Sequence, residues 1–238
     1  GIPARLNLFI RICKAIQHAH QKGVIHRDIK PSNILIWEND GEAVPKVIDF
    51  GIAKATGGGL NPDASFTDAG QHVGTPAYMS PEQASGSGMD VDTRSDIFSL
   101  GSLLYELLTG RPPFEPERLH KAGAEEFRRI LIEDDPCEPS EVIYSLDAAA
   151  LKEVAAQRDC DPQKLAGSIR GDLDWIVMKA LEKDRKRRYG TADSFAADVQ
   201  RHLNDEPVMA RPPGRAYLLG KLVKRNRLVV ASVAGVAA

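Results

Sequence analysis

Apolar residues recur every three or four positions along most of this chain. Leu6, Phe9, Ile10, Cys13 and Ile16 share one face of a helix. Ile97, Leu100, Leu104, Leu107 and Leu108 do the same, and Leu103 widens that face until the helix is apolar almost all round. The pattern predicts a central buried helix, closed by Gly110 and Pro112-Pro113. Further helices are predicted over 124–132, 147–158, 173–182 and 192–203. In the last, Thr191 is the N-cap and Phe195, Val199 and Leu203 face inward. Between the first and the central helix the period changes. Residues 33–37 are apolar and β-prone, Asp40-Gly41 is a favoured hairpin turn, and 46–50 returns as a strand. The fold class read from this is α+β, mainly α, with small β-hairpins.

Two stretches break the periodicity. From Ile52 to Val73 the chain carries Gly57-Gly58-Gly59, Asn61-Pro62, Ser65 and Thr67, the composition of a surface loop. Residues 206–227 are first Pro-rich and then basic, with Lys221, Lys224, Arg225 and Arg227. Residues 228–238 are apolar, but a spanning helix needs about 20 such residues. The competing readings are an apolar tail and the truncated start of a transmembrane helix with its cations on the cytoplasmic side. The second is preferred, with the linker joining it to a domain over 1–205. The stretch 115–171 carries no motif and reads as a docking surface or as filler.

Of 238 residues, 42% are hydrophobic and 27% charged, which is ordinary for a globular domain with a sizeable core. With a formal net charge of −2, nothing in the composition points to a nucleic-acid surface. Cys13, Cys137 and Cys160 are scattered singly, so neither a disulfide framework nor a zinc site is encoded, and a reducing cytoplasm is the simplest home.

The candidate chemistry lies in three short motifs. They are His26-Arg27-Asp28-Ile29-Lys30-Pro31-Ser32-Asn33, then Asp49-Phe50-Gly51, then Gly74-Thr75-Pro76-Ala77-Tyr78-Met79-Ser80-Pro81-Glu82. A carboxylate, an amide and a second carboxylate, in that order, are the residue types that phosphoryl transfer asks of a protein. The hairpin between Asn33 and Asp49 brings those two close enough to share a metal site. Thr93-x-x-Asp96 fits a capping box, with Asp in place of the usual Glu or Gln. Lys183-Asp184-Arg185-Lys186-Arg187-Arg188 alone reads as a solvated helix end.

With these motifs the chain resembles the eukaryotic-type (Hanks-type) serine/threonine protein kinases, specifically their bacterial, membrane-anchored members. The resemblance covers most of residues 1–208 and implies a catalytic loop at 26–33 and an activation segment at 49–82. It implies ATP and Mg2+ as cofactors. Asp28 would accept or orient the substrate hydroxyl proton, Lys30 would meet the transferring phosphate, and Asn33 and Asp49 would be the magnesium ligands. Arg27 would clamp a phosphate on the activation loop, carried by Thr67 or Ser65, with Thr67 preferred. Thr75 would bond the catalytic aspartate. Asp96 would anchor the catalytic loop and Glu82 would pair with Arg188, the one buried and paired member of its basic run. His26 and Phe50 complete the structural set.

The chain departs from the family pattern upstream. Only 25 residues precede His26, most of them helical, with no G-x-G-x-x-G and no V-A-I-K. The β-rich N-terminal lobe is thus expected to be missing from this chain, and the chain alone to have little or no activity. The partners expected are ATP, proteins bearing Ser or Thr, the missing N-terminal lobe, the membrane, and a second copy for phosphorylation in trans; nucleic acid is not among them. A non-catalytic, pseudokinase-like binding module is the alternative. A small-molecule phosphotransferase fits less well, because the long segment ending at Glu82 builds a site for protein substrates.

Overall fold

The computed structural model describes residues 1–50, 76–85 and 91–225. Ser65, Thr67, Thr75 and the apolar run 228–238 lie outside the described residues. Helix α1, Ile2–Gln21, starts with a proline in its first turn and buries Leu6, Phe9, Ile10, Cys13 and Ile16 along one stripe. The loop 26–33 follows, ending in a 3-10 turn, Pro31–Asn33. Strands β1, Ile34–Asn39, and β2, Glu42–Val47, form an antiparallel hairpin in which Ile34 faces Val47 and Asn39 faces Glu42. Asp40 (φ 51) and Gly41 (φ 77) both take positive φ, as a type I′ turn needs. β2 ends at Val47, short of the 46–50 strand expected, because Asp49 turns left-handed (φ 56) and ends the extended run.

A 3-10 turn, Pro76–Tyr78, and the short helix α2, Pro81–Ala84, lead to the central helix α3, Thr93–Thr109. Five helices follow: α4 (Pro116–Lys121), α5 (Ala124–Glu133), α6 (Pro139–Tyr144), α7 (Ala148–Gln157) and α8 (Pro162–Ile169). The last three are α9 (Asp172–Ala180), α10 (Ala192–Leu203) and α11 (Arg215–Arg225).

α3 is buried on almost every face and packs against α1, α6 and α9. Gly101 permits the closest approach: a Cβ there would lie 2.9 Å from the Ala180 Cβ of α9. α1 packs on α10, where the Phe9 and Phe195 rings meet edge to face at 5.0 Å and Tyr189 stacks on Phe195 at 4.8 Å. Each such aromatic, fully buried, is worth about 1.5–3 kcal/mol relative to exposure. Leu107 and Leu203, expected inward, lie at the core margin.

The N-cap of α3 is Asp92, whose carboxylate accepts the Arg94 N–H at 2.8 Å. The capping box expected from Thr93 and Asp96 is not formed; Thr93 is already helical. At the other end Gly110 turns left-handed (φ 91). There the buried Arg158 donates to the carbonyls of Leu108 at 2.6 Å and Glu106 at 3.2 Å, groups a helix end leaves without partners. Burial, aided by the nearby Arg5 cation, pushes the Arg158 guanidinium down to about 10. The stretch 115–171 is therefore no filler: it folds into α4–α8 and inserts a cation under the central helix.

Candidate active site

The loop 26–33 is built against a single carboxylate. Asp96, buried in the first turn of α3, accepts the His26 N–H on Oδ2 and the Arg27 N–H on Oδ1, both at 2.8 Å. His20, at the end of α1, puts Nε2 2.7 Å from the same Oδ2. The Arg27 carbonyl accepts from Gln83 Nε2 of α2 at 2.8 Å. With both main-chain polar groups engaged, Arg27 is held at φ 65, where few non-glycine residues sit.

His26 is itself buried. Its Nε2 lies 3.0 Å from the Ile48 carbonyl, its Nδ1 accepts the Asp28 N–H at 3.3 Å, and its ring lies 4.6 Å from that of Phe50. An accepting Nδ1 places the ring proton on Nε2, aimed at Ile48. One imidazole thus ties the loop to the end of the hairpin.

The turn that follows gathers three of the candidate side chains. Lys30 Nζ is 2.9 Å from Asp28 Oδ2. Asn33, buried, donates from Nδ2 to the Asp28 carbonyl at 2.8 Å and to Asp28 Oδ2 at 3.1 Å. The Asn33 carbonyl accepts the Ile48 N–H at 2.9 Å, which brings Asp49 in directly beyond it, with its side chain exposed. With the Asn33 amide nitrogen used on Asp28, Oδ1 is the Asn33 atom that would face a cation, and Asp49 would add carboxylate oxygens. Among the described residues, no three or more His, Cys, Asp or Glu side chains gather as a metal cage. Asn33 and Asp49 instead suit a hard cation such as Mg2+, which takes one or two protein oxygens and completes its shell with water and phosphate.

A second polar cluster braces the site from below. Arg188, buried, grips Glu82 with two parallel bonds of 2.7 and 2.8 Å. It also donates to the carbonyls of Glu182 (2.7 Å), Arg94 (2.9 Å) and Lys183 (3.1 Å) and stacks over Phe98 at 5.1 Å. Ser95 Oγ adds a bond to Glu82 Oε1 at 2.6 Å. Burial alone would raise the Glu82 carboxyl, but the bonds from Arg188 and Ser95 win and hold it below its ordinary range. Arg188 is the buried arginine of its basic run but not the only paired member. Lys183 donates to the Leu131 carbonyl at 2.8 Å, and Arg187 and Arg185 meet Glu182 and Asp92 at 3.0 and 3.6 Å.

His20, Gln83 and Ser95 were not singled out from the sequence. Ser80-x-x-Gln83 is a capping-box spacing that marks Gln83 as a helix-start residue, but its bond to Arg27, like that of His20 to Asp96, spans more than 50 positions and leaves no local signal.

The model of the family described as "Protein kinase domain" matches residues 4–202. "Serine/threonine-protein kinase PknB" of Mycobacterium tuberculosis is 39% identical over 195 residues, covering 82% of this chain and 25% of that protein. "Probable serine/threonine-protein kinase SCO3848" of Streptomyces coelicolor is 37% identical over 210 residues, covering 88% of this chain and 26% of that one. The chain thus spans about a quarter of the length of these curated relatives. The crystal structure of the Mycobacterium tuberculosis PknI kinase domain overlays 85% of this chain with a TM-score of 0.53 at 21% identity, covering 56% of that chain; it shows the fold alone. Family match and fold agree, and the chain belongs to the protein kinase domain family.

Proposed function

We propose that this chain is the C-terminal lobe of a bacterial serine/threonine protein kinase, which moves the γ-phosphoryl group of ATP to protein Ser or Thr hydroxyls. The observation that carries this reading is the grip of two donors on one oxygen: Lys30 and Asn33 both reach Asp28 Oδ2. A carboxylate so oriented accepts a proton from the attacking hydroxyl. The Lys30 cation, fixed at 2.9 Å from that carboxylate, meets negative charge on the transferring group. Asn33 and Asp49 hold Mg2+, which when bound neutralises phosphate charge and orients the nucleotide. Lys30 before a Gly74-Thr75 segment supports Ser and Thr rather than Tyr as acceptors.

Regulation is read by phosphorylation in trans of Thr67 or Ser65 within a transient homodimer, the loop phosphate being clamped by Arg27. Mass spectrometry of active protein finds one of them modified on this reading. We read residues 206–227 as the link to a membrane anchor, with the lobe on the cytoplasmic side; the apolar run 228–238 that motivates this lies outside the described residues. No helix among the described residues is long and apolar enough to cross a membrane.

The test is transfer from labelled Mg-ATP to a serine-containing acceptor protein, by the chain in its full reading frame and by Asp28→Asn. Loss of about 10^3-fold or more in the variant is expected, in line with removing an essential group that acts together with its neighbours. Equal transfer overturns the reading in favour of a binding module. The 238-residue chain alone is expected to transfer little or nothing, since residues 1–25 offer no Gly-rich loop or strand lysine.

A further inference from the structure

Helix α11 presents two unlike faces. One is pinned to the lobe. Tyr217 donates its hydroxyl proton to Asp172 Oδ1 at 3.0 Å, and Lys221, one turn later, lies 2.5 Å from Asp172 Oδ2. The Tyr217 hydroxyl also accepts the Val208 N–H at 2.9 Å, and Lys224 pairs with Asp205 at 2.6 Å. The segment leading in is tied as well, since Asp198 accepts the N–H groups of Met209 and Ala210 at 2.6 and 2.8 Å. These bonds fix the roll of the helix.

The other face is apolar and exposed to solvent. Leu218, Leu219, Leu222 and Val223 are 40%, 62%, 51% and 41% exposed. At about 100° per residue they cover an arc of roughly 140°. Arg215 and Arg225, both exposed, flank this stripe at its two ends. From Arg211 to Arg227 the sequence holds six cations and no carboxylate; Asp172 and Asp205 take Lys221 and Lys224, and four arginines remain. A protein partner with a matching apolar groove would not call for so one-sided a charge. A bilayer with anionic headgroups answers both features, since acyl chains take the leucines and phosphates take the arginines.

We propose that α11 is an interfacial helix that lies in the headgroup region of an anionic lipid bilayer, with Leu218, Leu219, Leu222 and Val223 in the membrane and Tyr217 and Lys221 holding the lobe against it. This goes beyond the spanning segment proposed above and does not depend on it.

The test uses the whole 238-residue chain and sedimentation with vesicles of phosphatidylcholine alone or mixed with phosphatidylglycerol. The unaltered chain should sediment with mixed vesicles and, at about fivefold higher salt, lose part of that binding. Leu219→Glu/Leu222→Glu should lower partitioning at least about tenfold with the circular dichroism melt unchanged, because both side chains face solvent. Val229→Asp/Val233→Asp should leave binding to anionic vesicles largely in place. If the tail variant alone abolishes binding, the inference falls; if the stripe variant alone does so, the inference stands, and neither result bears on the spanning segment, of which this chain carries only 11 residues where about 20 are needed. Equal binding to uncharged vesicles overturns the anionic specificity. Self-association in solution that the Leu219→Glu/Leu222→Glu change removes, with vesicle binding untouched, assigns the stripe to a second copy of the chain instead.

Discussion

Asp96 and Arg27, 69 positions apart, meet through a 2.8 Å bond from the Arg27 main-chain N–H to Oδ1, and that bond helps hold Arg27 in a left-handed backbone. Asp96→Ala would strand the buried N–H of His26 and the part-buried N–H of Arg27. Each unsatisfied group costs about 1–3 kcal/mol, so the expected loss is about 2–6 kcal/mol in urea denaturation. A change below about 0.5 kcal/mol would mean that Gln83 and Ile48 suffice to shape the loop.

Arg188 and Lys186 sit two residues apart with opposite fates. Arg188 is buried with Glu82 and three carbonyls around it, whereas Lys186 is exposed. Arg188→Ala leaves a buried carboxylate without its cation and should cost about 3–5 kcal/mol. Lys186→Ala should stay within about 0.5 kcal/mol. Equal melting temperatures for the two variants would reject this account.

The Glu82 carboxyl is held below its ordinary value of about 4.5, despite burial, by Arg188 and Ser95. A depressed acid contributes stability that is fully present above the unfolded value and is lost as pH falls through the folded one. Glu82→Gln should therefore be less stable than the unaltered chain near neutrality, with the gap closing below about pH 4.5. Urea midpoints that stay parallel across that range would show that the pair does not drive the acid response.

Gly101 separates two opposing effects. Alanine in a helix interior gains about 1 kcal/mol over glycine. The added Cβ would lie 2.9 Å from the Ala180 Cβ and 3.2 Å from Leu181 Cδ2, so the α3–α9 contact must open. Overpacking of this kind typically costs about 1–3 kcal/mol, and Gly101→Ala should be net destabilising in thermal denaturation. A higher melting temperature would mean that α9 yields without loss.

Much of the architecture was legible because it is local. The stripe of α1, the all-round apolar α3 with Gly110 behind it, and the Thr191 cap of α10 follow from spacing and cap chemistry. Asp40-Gly41 marked the hairpin because few other pairs accept two positive φ values. Asp28, Lys30 and Asn33 stand within six residues of one another, so their convergence could be read directly. The strand end at Val47 could not, since the left-handed turn at Asp49 is imposed by its surroundings. Nor could Asp92 be told from Thr93 as the cap of α3. Arg158 beneath the central helix, and His20 and Gln83 around Arg27, meet partners 50 or more positions away, where periodicity carries no information.

The bonds from Asp198 and Asp172 to the segment after α10 have a mechanical consequence. A chain tethered at Met209, Ala210, Tyr217 and Lys221 meets the lobe at Asp172 just before residue 225. A pull on its far end is delivered to α9, at whose first residue Asp172 stands, instead of being absorbed by a loose spring. α9 lies against α3, and α3 carries the carboxylate that holds Arg27. Tension at the C-terminal end therefore has a short, stiff route to the loop where Asp28 sits.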